Sequence, residues 1–237
     1  MRRTSTITLI AAFSVAASAF AQENADAIKQ RILAQAQSLS ENDFAFTRTS
    51  RTDGVSNGKS EKGVLVEKFD PTKAGAARWT LVSIDGAPPA ADALARYNKE
   101  SAKRRVPGYF RLANYFGSPA SASQDAQGRT VFRFASLPKE TVVVMGSDIS
   151  HNASAEVTVG DANGTPFAEQ VRVTIKPMRL KLVMKLESFD STNRYRMGPD
   201  GQPILIEAIQ DLAGSGMGQE GKMHTASTYT DYRAVRR

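Results

Sequence analysis

Two histidines, His151 and His224, and no cysteine leave this chain of 237 residues with few of the usual carriers of chemistry. A serine triad or a zinc site would have to use one or both histidines. His151 sits in the polar run Asp148-Ile149-Ser150-His151-Asn152, where Asp148 three residues away suits a turn more than a catalytic constellation. Ser215 lies between Gly214 and Gly216, but Ala213 and Met217 do not complete the G-x-S-x-G elbow of a nucleophilic serine. Gly216 to Lys222 fits the phosphate-loop spacing G-x-x-x-x-G-K, yet Met223 stands where Ser or Thr would hold magnesium. The residues after Lys222 read as a strand, so no helix N-terminus faces a phosphate. Carboxylates are scattered, which removes support for paired-acid glycoside hydrolysis. The chain is therefore expected to be no enzyme and to hold no cofactor and no metal.

The residue types that remain are those of binding. In Lys103-Arg104-Arg105-Val106-Pro107-Gly108-Tyr109-Phe110-Arg111, cations stand beside amphipathic aromatics, a composition suited to a lipid-water boundary. Lys103, Arg104, Arg105, Tyr109 and Phe110 are thus candidates for docking to an anionic membrane or a partner. Pro107-Gly108 breaks the preceding helix, and the segment from Lys103 to Phe116 is expected to be a mobile flap or docking surface at the mouth of a concavity.

These residues must be positioned by a chain whose hydrophobic period changes once. From Glu23 to Leu39, Ala25, Ile28, Ile32, Leu33, Ala36 and Leu39 recur at helical spacing. After Ser40-Glu41-Asn42-Asp43 the period becomes two. Strands are expected at Asp43–Arg51, Gly63–Phe69 and Arg78–Ile84, the first two joined by a long polar turn over Asp53–Gly58. Ala90–Arg105 reads as a second helix, succeeded by an irregular stretch over Val106–Ala126. Beyond Gly128 the chain is almost all strand, with a hairpin signal at Asp200-Gly201. Its clearest alternation sets Leu180, Leu182, Met184 and Leu186 against Arg179, Lys181, Val183, Lys185 and Glu187. No repeat or linker divides the chain. The expected fold is α+β: a curved antiparallel sheet, or incomplete barrel, wrapped around helices.

The first residues add a compartment. Arg2 and Arg3, the apolar run from Ile7 to Ala17, and Ala19-Phe20-Ala21 have the layout of a cleavable signal peptide over residues 1–21. Residues 22–237 would then form a single domain with a helical and irregular insert around 90–126. A periplasmic protein without a lipid anchor is expected, because no cysteine exists to carry one. The net charge of +7 is mild and spread along the chain. It points to anionic head groups rather than nucleic acid as the partner of its cations.

The opening strand Phe44-Ala45-Phe46, the run Arg78-Trp79-Thr80-Leu81-Val82-Ser83-Ile84-Asp85-Gly86, and the ending Tyr229-Thr230-Asp231-Tyr232-Arg233 carry a resemblance. With the N-terminal amphipathic helix, they make the chain similar to the periplasmic lipoprotein-carrier half-barrel superfamily, in an uncharacterised branch of bacterial envelope proteins. The resemblance implies a binding protein that holds a lipid, acyl chain or other apolar molecule in the concavity of a half-barrel. Phe44, Phe46, Trp79, Phe132, Phe134, Leu182 and Met184 are the candidate lining residues. It also implies a rival: an envelope protein-interaction or stress-sensing module of the same fold, its concavity filled by its own side chains.

Overall fold

Residues 10–181, 184–216 and 219–235 are described by the structure, a computed structural model; the start of the expected signal segment lies outside them. Helix α1 (Ile10–Ser38) begins thirteen residues before the helix expected from the periodicity. Ala25, Ile32 and Ala36 are buried along one stripe, flanked by the partly buried Ile28 and Leu33. The helix ends where Asp43 accepts hydrogen bonds from the Ser40 backbone (2.6 Å) and hydroxyl (2.8 Å).

Strands β1 (Phe44–Ser56) and β2 (Lys59–Phe69) are longer than the sequence suggests. The polar stretch Asp53–Gly58 extends the hairpin, and the reversal itself takes only Asn57 and Gly58. Their φ values of 52° and 71° are those of a tight two-residue turn. Across it, Asp53 pairs with Lys62 at 3.0 Å, so charged residues that read as loop sit on the outer face of a ribbon.

The remaining elements are β3 (Trp79–Ile84), α2 (Ala91–Ser101), α3 (Leu112–Phe116), β4 (Ser121–Gln124), β5 (Thr130–Phe134), and the small ribbon of β6 (Val143–Val144) and β7 (Ser147–Asp148). After these come β8 (Ala153–Ala162), β9 (Thr165–Ile175), β10 (Met178–Lys181), β11 (Met184–Met197), β12 (Pro203–Gly216) and β13 (Gln219–Ala234). Apart from the ribbon, the strands form one antiparallel sheet in the order β3-β2-β1-β13-β12-β11-β9-β8-β5-β4. The sheet is open, with β3 and β4 at its edges. The first and last strands pair in its middle.

Both β9 and β10 pair with β11, β9 along Asp190–Arg194 and β10 along Met184–Leu186. Pro177 separates them, a residue that cannot donate to a ladder. The alternating run from Arg179 to Glu187 is therefore not one strand, as its period suggests, but parts of two strands that pair with each other.

Alternation divides the sheet into two faces. The outer face is laced by exposed cross-strand ion pairs, such as Arg133–Glu156 (2.9 Å) and Arg194–Glu207 (2.7 Å). The inner face carries the core. Over β5, Phe116 of α3 meets Phe132 and Phe134 edge-on at 5.6 and 5.4 Å. α1 packs against α3 and β9. At the other end, Phe46, Phe69 and Trp79 form an aromatic cluster with ring centroids 4.9–5.8 Å apart.

Candidate functional site

Along the central strands many inner-face positions carry small side chains: Ser50, Thr52 and Gly54 on β1, Ser227, Thr225 and Gly221 on β13, and Ala208 and Gly214 on β12, with Met223, Gln210 and Leu212 between them. Gly214 lies opposite Gly221, and Gly54 opposite Met223. Glycine and other small side chains in this sheet floor leave room above it. The space there is a groove of about 610 Å³, within the range of pockets that hold small molecules.

Its walls are largely apolar: Val55, Leu180, Met184, Leu186, Leu212 and Met223, with Met145 from the β6–β7 turn on one side. Met145 is 63% exposed although it is a large apolar residue. Met145 and Gly146 occupy positive φ (50° and 75°), which makes the turn tight and pushes the methionine outward. Asp148 fixes the base of the turn, accepting hydrogen bonds from the Ser150 backbone (3.0 Å), the Ser150 hydroxyl (2.6 Å) and the Glu140 backbone (2.9 Å). The Ser150 bonds, with the Glu140 amide behind them, hold the Asp148 carboxyl at a pKa of about 2. Glu61, Lys185, Glu220 and Lys222 border the groove, two charges of each sign.

Of the residues expected to line a ligand space, Met184 is in this groove and Leu182 lies outside the described residues. The aromatics are elsewhere. Phe46, Trp79, Phe132 and Phe134 are buried among one another and their neighbours. Phe44 is half-buried, edge-on to Tyr232 at 5.9 Å. Phe44 and Phe46 border a space of about 30 Å³, the scale of a single water. Large rings fill the ends of the sheet where helices cover it, and the open part is framed by methionine and aliphatic side chains. Glycine alternation at Gly214 and Gly216, beside Leu212, was the signal available for it.

The stretch from Lys103 to Phe116 is not a flap. Beyond Pro107-Gly108 the chain makes a short 3-10 turn over Tyr109–Arg111 and then α3, with Tyr109, Leu112, Tyr115 and Phe116 buried. Tyr109, 2% exposed, joins three elements. Its hydroxyl accepts from the Ala168 backbone on β9 (2.8 Å) and donates to Gln35 of α1 (3.2 Å), and its ring meets Tyr195 edge-on at 5.2 Å. Burial pushes its pKa well up. Phe110 is half-buried under the Arg111 guanidinium at 5.3 Å. Lys103 is exposed, and Arg105 is exposed while donating to the Glu140 carbonyl at 2.8 Å.

Arg104 is not a solvated cation either. It forms an ion pair with Glu67, whose side chain is 0% exposed, and stacks over Tyr97 at 4.8 Å and Trp79 at 5.7 Å. Arg48 binds the other carboxylate oxygen through Nε (2.8 Å) and Nη2 (2.5 Å), lying over Trp79 at 4.6 Å. Burial works against the Arg48 charge, but attraction and hydrogen bonding to Glu67 and Tyr229 together outweigh it and raise the pKa. Burial first, and the same carboxylate second, push the Tyr97 hydroxyl well up. Glu67 on β2 thereby ties β1 to the segment after α2, an arrangement that a one-dimensional reading of three successive cations does not reveal.

The residues weighed for catalysis are dispersed. His224 pairs with Asp211 at 2.7 Å on the outer face, and His151 is exposed in a short 3-10 turn. The phosphate-loop spacing falls on the ends of β12 and β13. Among the described residues, no three His, Asp or Glu side chains come close enough to hold a metal ion. No described helix is long and apolar enough to cross a membrane. No protein-family model matches the chain, and no curated protein matches it either.

Proposed function

We propose that the protein is a binding protein that holds a single acyl chain, or an apolar molecule of similar size, in the groove over β1, β13, β12 and β11. The observation that carries this reading is the groove itself: about 610 Å³ walled by Met184, Leu186, Leu212 and Met223 over a glycine-containing floor. Each methylene buried there contributes about 0.8 kcal/mol, so a chain of roughly ten offsets an association cost of several kcal/mol. Methionine walls suit chains of varied shape, because the thioether side chain is unbranched and adaptable.

The wider reading joins this site to the resemblance. The open sheet is a half-barrel curved around α1, in the manner of periplasmic lipoprotein carriers. Residues 1–21 act as an export signal, and cleavage after Ala21 leaves Gln22–Ser38 of α1 to pack on α3 and β9. The protein works in the periplasm without catalysis or a cofactor.

The test is uptake of an apolar fluorescent dye, N-phenylnaphthylamine, and its displacement by laurate. Wild-type protein is expected to bind the dye at micromolar concentration, and Met223→Lys to lose at least tenfold. Met223 is partly exposed, so this change places a charge at the groove with little effect on folding. A wild-type protein that takes up no dye would favour the rival reading, an interaction module with no open concavity.

A further inference from the structure

Next to the apolar groove, the inner face of the same strands turns polar without becoming charged. Thr52, which lines the groove, lies in register with Thr225, then Gln210, then Ser191 across four strands. One step further along the strands, Ser50, Ser227, Ala208 and Asn193 form the next row. Thr52, Thr225, Gln210, Ser191, Ser50 and Asn193 are all half-buried, and only Ser227 in the second row is buried. Their hydroxyls pair across β1 and β13: Ser50 with Ser227 at 2.8 Å and Thr52 with Thr225 at 3.3 Å. Each such pair still offers one donor and several acceptor lone pairs.

An inner-face position in a sheet normally carries an apolar side chain, and two successive hydroxyl and amide rows there are costly to cover with a hydrocarbon. The same rows contain no charged group. Further along β1 the next inner-face residue, Arg48, is committed to Glu67, as is Arg104. An ionised ligand head placed on these rows would lose water without gaining a counter-charge. A neutral head would exchange water for hydroxyls that can turn to donate or accept.

We infer that the ligand of the groove is an amphiphile with one apolar chain and an uncharged, hydroxyl-bearing head, and that Thr52, Thr225 and Gln210 hold that head. This rests on the groove reading above and adds to it the direction and polarity of the ligand. The chain lies against Met184, Leu212 and Met223, and the head points along the strands toward Ser50 and Ser227.

The experiment is displacement of bound N-phenylnaphthylamine by three probes with the same chain: lauroylglycerol, laurate and laurylammonium. Lauroylglycerol is expected to displace the dye at about tenfold lower concentration than the charged probes, as one or two hydrogen bonds would give. The double variant Thr52→Val, Thr225→Val should bring the three probes together. Thr228→Val, on the outer face of β13, should leave the preference intact. Dye uptake with equal displacement by all three probes, or with preference for laurate, overturns this inference alone. Absence of dye uptake by the wild type overturns the groove reading and this one with it.

Discussion

Glu67 shows how one residue converts apparent surface charge into internal structure. A fully buried carboxylate held by two guanidiniums is costly to desolvate, but once formed it is much more costly to break from one side. Glu67→Gln would leave Arg48 and Arg104 adjacent and uncompensated, and is expected to cost roughly 3–5 kcal/mol in urea unfolding. Arg104→Gln, which keeps the Arg48 pair, should cost about 2 kcal/mol. Lys103→Gln should stay within about 0.5 kcal/mol, since Lys103 is exposed. Equal effects at the three positions would show that the cluster is solvated and contributes little. Arg104 also marks a limit of linear reading: it stands between two exposed cations, and only its neighbours in space distinguish it.

At the scale of elements, the groove depends on strand spacing and on the β6–β7 turn. A Cβ at Gly214 would lie 2.6 Å from the Lys185 carbonyl oxygen, so β11 and β12 approach there more closely than any side chain allows. Gly214→Ala is expected to force them apart, lowering the melting temperature and weakening dye uptake together. An unchanged melting temperature would contradict that close approach. The turn predicts a pH dependence. The Asp148 carboxyl, held at about 2, lies below its unfolded value of about 3.9, so its stabilisation is complete above that value and is lost as the pH falls through 2. The difference in melting temperature between wild type and Asp148→Ala should therefore be largest at neutral pH and close between pH 4 and pH 2. A gap that persists at pH 2 would mean that the hydrogen bonds to Asp148 do not depend on its charge. Elements of this kind were partly legible. The helix from Glu23 to Leu39 and the hairpin at Asp200-Gly201 announce themselves through period and turn chemistry. The reversal between β10 and β11 leaves only a faint trace, Val183 on the otherwise polar side of the run from Arg179 to Glu187.

Across the whole molecule, the pairing of β1 with β13 makes the two ends of the chain interdependent. Among the described strands, β13 alone joins β1, β2 and β3 to the rest of the sheet. A chain ending at residue 218 should lose cooperative unfolding altogether, since Phe46, Phe69 and Trp79 would be cut off from the remaining core. A retained sharp transition in that truncated chain would show that β8 and β9, with α1, fold without the C-terminal strand. Features that depend on local spacing could be read from the chain alone: a helix before residue 40 and strands with two chemically distinct faces after it. The use of each face was decided only in three dimensions. Large aromatics have the same alternation whether they line a ligand space or fill a core, and here burial under α1, α3 and the aromatic cluster makes Phe46, Trp79, Phe132 and Phe134 core. The open space falls instead where small residues of three strands, distant in sequence, come into register, because volume belongs to the arrangement of strands and not to any one of them.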